Sequence, residues 1–229
     1  MKQLYLIINI CSVIVPFLFS FHPKIQFYKK WNAFFPALLL SLLIFVPWDI
    51  AFTHKGVWSF NPNYVIGIYF FNIPLEELLF FICIPYACVF SYHCFNLFIR
   101  LDYFNNAEKY ISPILILFLG TLAVFNYDKL YTSVTFTALA LFILLSKYLL
   151  KVKWLAKFYF SYLILLIPFF IVNGLLTGTG PDEPVVRYNN NQNLGIRILT
   201  IPFEDIFYGM FLLMLTVAVY EYLSSKQKI

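Results

Sequence analysis

The feature that most constrains this chain is a succession of apolar runs, each close to the length of a bilayer-spanning helix. A hydrocarbon core about 30 Å thick needs roughly 20 apolar residues per helix. Seven runs meet that ruler, at about 3–21, 33–51, 75–99, 111–126, 130–146, 158–176 and 203–223, the fourth being the shortest. With 62% of 229 residues apolar, 12% charged and a mean hydropathy of +0.79, one soluble core could not hide so much apolar surface. The expected fold class is therefore an all-α integral membrane protein of about seven transmembrane helices. The first run follows a single early cation, Lys2, and has no small-residue cleavage site, so it reads as a retained span. The apolar stretch from Val65 to Ile73 is too short to cross and is expected to lie re-entrant or at the interface.

Orientation follows from the loops that hold Lys and Arg. One side collects Lys24, Lys29, Lys30, Arg100, Lys109, Lys147, Lys151, Lys153, Lys157, Lys226 and Lys228; the other holds Lys2, Lys55, Lys129, Arg187 and Arg197. Eleven against five predicts a multi-pass protein of the cell membrane with an external N-terminus and a cytoplasmic C-terminus. The two longest loops, 52–74 and 177–202, then open outward. No basic block with interleaved aromatics is present, which argues against a nucleic-acid partner. Cys11, Cys83, Cys88 and Cys94 form no CxxC and read as small buried hydrophobes.

Those two loops end in near-identical words: Ile73-Pro74-Leu75-Glu76-Glu77-Leu78 and Ile201-Pro202-Phe203-Glu204-Asp205-Ile206. Upstream, Val46-Pro47-Trp48-Asp49 loosely echoes Ile167-Pro168-Phe169-Phe170. The expected organisation is two parallel three-helix units, residues 1–109 and 130–229, joined by a linker helix at 110–129. Repeats of this kind place their site at the interface between the halves.

A Pro-x-acid-acid word has a purely structural explanation. Proline suits a first helical turn, and acidic side chains suit the positive end of the helix dipole. Three features point further. The word occurs twice at equivalent places, each copy doubles the carboxylate, and each is followed at once by Phe80-Phe81 or Phe207-Tyr208. Ionisable groups at such depth are costly and usually functional. A carboxylic acid among π-faces can add H⁺ to an alkene and hold the resulting cation. Asp49, at the end of the second span, is an interfacial acid or a further member of the site. Absences narrow the chemistry. No GxGxxG motif marks a nucleotide fold, and His22, His54 and His93 form no di-iron cluster. The last span before Lys226 has no lysine for a retinal Schiff base, and no DxxxD pair offers to hold Mg²⁺-diphosphate. Acid chemistry on a lipid-soluble substrate, or transport, remains.

Phe52-Thr53 through Gly56, Trp58 and Phe60-Asn61, then Tyr64, Gly67 and Pro74-x-Glu76-Glu77, resemble the lycopene cyclase domain of the small membrane-bound type. That family includes heterodimeric enzymes of some bacteria and fused forms in archaea, fungi and other bacteria; this chain resembles the fused form. The second half keeps Pro202-Phe203-Glu204-Asp205, while its loop, with Asn189-Asn190-Asn191, carries no run like that of the first half. The resemblance implies lycopene β-cyclase activity, an isomerisation that closes linear ψ-ends into β-rings, giving γ- or β-carotene. It implies no cofactor and no metal. The implied partners are lycopene and related carotenoids, the lipid bilayer and other enzymes of carotenoid synthesis. Glu76 and Glu204 match the family's leading acid, and Glu77 and Asp205 the second. The resemblance makes all four catalytic, a Glu of one pair as general acid and a partner carboxylate as base or proton relay, with the choice of pair left open. Trp48, Trp58, Phe80, Phe81 and Phe207, with Asp49, are the candidates for contacting substrate and stabilising its cation.

The rival architecture is a small-molecule transporter of three helices, a linker helix and three helices, with membrane prolines as gates. It calls for a polar stripe along a water-filled path, whereas these spans are dominated by Phe, Leu and Ile.

Overall fold

A computed structural model describes residues 2–99 and 104–226. Arg100 and Lys228, two of the cations used for orientation, lie outside them. Seven α-helices follow the apolar runs: α1 Leu4–Phe19, α2 Trp31–His54, α3 Leu75–Phe98, α4 Phe104–Phe125, α5 Leu130–Leu144, α6 Leu155–Thr177 and α7 Phe203–Lys226. A π-turn, Leu145–Leu149, extends α5. Six of the seven helices are long and apolar enough to cross a membrane, and the chain is an all-α membrane protein; α1, at 16 residues, is shorter.

The fourth span is not the shortest. The helix begins before the apolar run because its polar first turns have partners. Glu108 accepts from Ser112 at 2.6 Å and forms an ion pair with Lys147, beyond α5, at 2.9 Å. The cysteines also differ from expectation. All four are free, Cys11 is exposed and the others are half-buried, since the surface facing lipid is itself apolar.

The two long loops carry six short strands: β1 Trp58–Phe60, β2 Tyr69–Phe70, β3 Ile73–Pro74, β4 Val186–Tyr188, β5 Arg197–Ile198 and β6 Ile201–Pro202. Despite its different sequence, the second loop folds as the counterpart of the first. Hairpin β2–β3 pairs Tyr69 with Pro74, and β5–β6 pairs Arg197 with Pro202 at the equivalent positions. Gly67 and Gly195 both take positive φ, as do Phe71 and Leu199 at the hairpin tips. Between the loops, β1 and β4 pair antiparallel, Trp58 with Tyr188 and Phe60 with Val186. Flanking amides continue the ladder reciprocally: Asn61 donates to the Val185 carbonyl at 2.8 Å and Asn189 to that of Val57 at 2.9 Å. Such reciprocity is that of a pseudo-twofold relating the halves. It depends on backbone pairing, which tolerates sequence change better than side-chain packing does.

Within the bundle α1 packs on α3 as α5 packs on α7, and α2 packs on α7 as α6 packs on α3. α7 is the most enclosed helix, with Met210 to Val217 all buried. α4 packs on α5 and α6 at the side of the bundle.

Candidate active site

Each acid pair sits in the first turn of its helix, directly after a β-hairpin. The hairpin returns the chain so that each leading acid meets the loop it has just left. Glu76 Oε1 accepts from the Ile66 amide at 2.6 Å, and Glu204 Oε1 from the Leu194 amide at 2.7 Å. Both side chains are fully buried. Thr132 adds a 2.6 Å hydrogen bond to Glu204, and Asn9 reaches the Glu76 carbonyl at 2.7 Å. These two acids join loop to helix on each side and do not line the cavity between the halves.

The following acid points elsewhere, as a helical step of about 100° requires. Glu77 and Asp205 both line one cavity of about 270 Å³, and Asp49, from near the end of α2, joins them. Tyr5 donates to Glu77 Oε2 at 2.5 Å, and Tyr131, at the equivalent place on α5, donates to Asp205 Oδ1 at 2.6 Å. Tyr188 donates to Asp205 Oδ2 at 2.9 Å. Trp58 Nε1 donates to Asp49 Oδ1 at 2.7 Å. Asp49 Oδ2 and the Tyr208 hydroxyl are buried without a hydrogen-bond partner among the described residues.

Three carboxyl groups therefore share a chamber that, among the described residues, is lined by no Lys, Arg or His. Phenol and indole donors hold them, Tyr5 on Glu77, Tyr131 and Tyr188 on Asp205 and Trp58 on Asp49, and Arg197 stands 5.9 Å from the Tyr188 ring. Tyr188 lies in a loop strand outside the helices. Burial first, and then the neighbouring Asp205 and Glu77, push its hydroxyl well above the usual tyrosine range, so it stays a donor at physiological pH.

Aromatic rings wall the acids. The Trp58 ring lies 5.1 Å from Tyr131, 6.0 Å from Tyr188 and 6.1 Å from Tyr208. Tyr131 and Tyr188 stack at 19°. Among the residues expected from sequence, Asp49, Trp58, Glu77, Phe80 and Asp205 line the chamber. Trp48 stands behind it, 5.6 Å from the Tyr208 ring. Phe81 packs on Phe45, while Phe207 packs on Phe136 and Phe203, away from the acids. Tyr5, Tyr131 and Tyr188 were not singled out from the sequence, and Tyr208 was noted only as the aromatic after Phe207. Tyr5 and Tyr131 each stand second in the opening helix of their half, and each donates to the second acid of its own half's word.

The sequence also has relatives. The family model described as lycopene cyclase matches the chain in two segments, residues 2–95 and 128–223. Among curated proteins, the bifunctional lycopene cyclase/phytoene synthase of Aspergillus oryzae is 36% identical over 56 residues, 24% of this chain and 10% of that protein. The proteins of the same description from Neurospora crassa and Arthroderma gypseum are 37% and 39% identical over 51 residues, 22% of this chain and 8% and 9% of theirs. The aligned stretch thus spans about a tenth of the relatives' length. No solved structure matches. With both helical units matched by one family model, the chain belongs to the lycopene cyclase family.

Proposed function

We propose that this chain is a lycopene β-cyclase, an isomerase that closes the ψ-ends of lycopene into β-rings by acid–base catalysis within the membrane. The observation that carries this is the meeting of Glu77, Asp205 and Asp49 in one aromatic chamber between the halves. Such a chamber suits an alkene that must be protonated and a carbocation that must be shielded from water.

In this account Glu77 is the general acid. Tyr5 occupies Oε2 and leaves Oε1 for the proton that goes to the terminal alkene. The neighbouring alkene then attacks the tertiary cation, forming the ring C–C bond and moving the charge onto the ring. Asp205, ionised and held by Tyr131 and Tyr188, faces that charge and accepts the proton the ring releases. Trp58 and Tyr208 supply π-faces, each desolvated cation–π contact contributing about 2 kcal/mol. Asp49, positioned by Trp58, returns the proton between turnovers. One proton enters and one leaves, so substrate and product are isomers and the balance requires no redox cofactor. Glu76 and Glu204 hold the loops, and Trp48, Phe81 and Phe207 support the walls. The two three-helix units serve as two halves of one site, with the acid end on the external face.

Purified protein in lipid vesicles, given lycopene in D₂O, is expected to yield product with one deuterium per ring closed. Ring formation without deuterium would remove the general acid from the mechanism.

A further inference from the structure

The chamber is one end of a longer cleft. Along α3 its wall runs through Glu77, Phe80, Ile84, Ala87 and Ser91, one face of the helix at helical spacing. From Glu77 to Ser91 this covers about 21 Å at 1.5 Å per residue. The carboxyl groups lie only at the Glu77 end. Ser12 and Ser91, which line the remainder, spend their hydroxyls on their own helices, donating to the Ile8 and Ala87 carbonyls at 2.8 Å. Of the other polar lining residues, Tyr162 and Thr177 donate to the Ile206 and Asn173 carbonyls. Asn173 and Thr177 lie at the loop end of α6, so the far part of the cleft is largely apolar. Pro16 and Ser91 at the far end are only half-buried, so that end is not sealed.

The pseudo-twofold shows why there is one cleft and not two. The cleft lies where α6 faces α3. The equivalent interface, α2 against α7, is closed: Ser41 and Thr216 share a buried 2.8 Å hydrogen bond, and Phe45 lies 5.3 Å from Phe211. At the positions of Ala87 and Ser91 the second half carries the larger Leu215 and Val219. α3 thus carries small residues at positions where α7 carries branched ones.

We infer that Ala87 and Ser91 leave room for a long substrate: the cleft along α3 takes the polyene of a carotenoid lengthwise, one ψ-end at Glu77 and the rest running past Ala87 and Ser91 toward lipid. This rests on the cyclase reading above. A C40 polyene, on the order of 30 Å long and comparable to the bilayer core, is longer than the cleft, so its second end stays outside while the first reacts.

The test copies the closed half into the open one, with Ala87→Leu combined with Ser91→Val. The protein in vesicles is given lycopene or an apo-lycopenal, which keeps one ψ-end on a shortened polyene. Lycopene cyclisation is expected to fall at least about tenfold, as one or two methylenes in a fitted apolar site discriminate, while the short substrate is converted within about twofold of wild type. Ile82→Trp, on the exposed side of the same helix, should leave both unchanged. Should the double variant not insert, Ala87→Val alone carries the same expectation with a smaller drop. Unchanged lycopene turnover in an inserted variant, or equal loss of both substrates, would overturn the cleft assignment while wild-type conversion keeps the cyclase reading. A wild type that converts neither substrate would overturn both.

Discussion

At the level of single residues, adjacent acids with near-identical sequence context have different surroundings. Glu76 and Glu204 each accept a loop amide, whereas Glu77 and Asp205 face the chamber and are held by tyrosines. Glu77→Gln, which keeps shape and a hydrogen bond from Tyr5 but cannot donate an acidic proton, is expected to lower cyclisation by about 10²–10⁴-fold. Glu76→Gln retains a carbonyl oxygen for the Ile66 amide and is expected to cost far less. Pigment chromatography normalised to membrane-inserted protein distinguishes them, and the reverse order would reassign the acid. Tyr188→Phe removes one of two donors to Asp205. Leaving that buried oxygen short of a partner costs about 1–3 kcal/mol, and an initial-rate assay should show it as lost turnover with Tyr131 still in place.

At the level of elements, the loops are the precision parts. Gly67 and Gly195 take positive φ immediately after the residues whose amides meet Glu76 and Glu204. A side chain meets open space at either glycine, so the penalty is conformational. Replacing either with Val is expected to cost roughly 1–2 kcal/mol, seen as a lower midpoint in thermal unfolding in detergent, and an unchanged midpoint would show that the turn is not needed. The helices and the doubled acid words were legible in the sequence, because apolar length and helix-start chemistry are local signals. The equivalence of the loops was not. Backbone pairing of β1 with β4 leaves almost no mark on residue identity, so Val186-Arg187-Tyr188 stands opposite Trp58-Ser59-Phe60 without resembling it. Tyr188 was invisible for the same reason. The start of α4 was hidden too, since the ion pair that balances Glu108 in the span comes from Lys147, which lies far along the chain.

At the level of the whole molecule, the two segments matched by the family model line one chamber together. Both halves donate an acid and a tyrosine to a single chamber, and Asp49 on α2 has an aromatic echo, Phe170, on α6. A single chamber handles one end of a symmetric substrate at a time, so a monocyclic carotenoid is expected to rise and then fall before the bicyclic product dominates. A time course in which both rings close together, with no monocyclic species at any point, would require a second site.

The most direct test of the central claim is expression of the wild-type chain and of Glu77→Gln in a bacterium that accumulates lycopene, with pigments separated by chromatography. The wild type should produce ring-bearing γ- and β-carotene, and the variant, present in the membrane at equal level, should leave lycopene unchanged. Lycopene left intact by an inserted wild type, or ring closure undiminished in Glu77→Gln, would contradict the account.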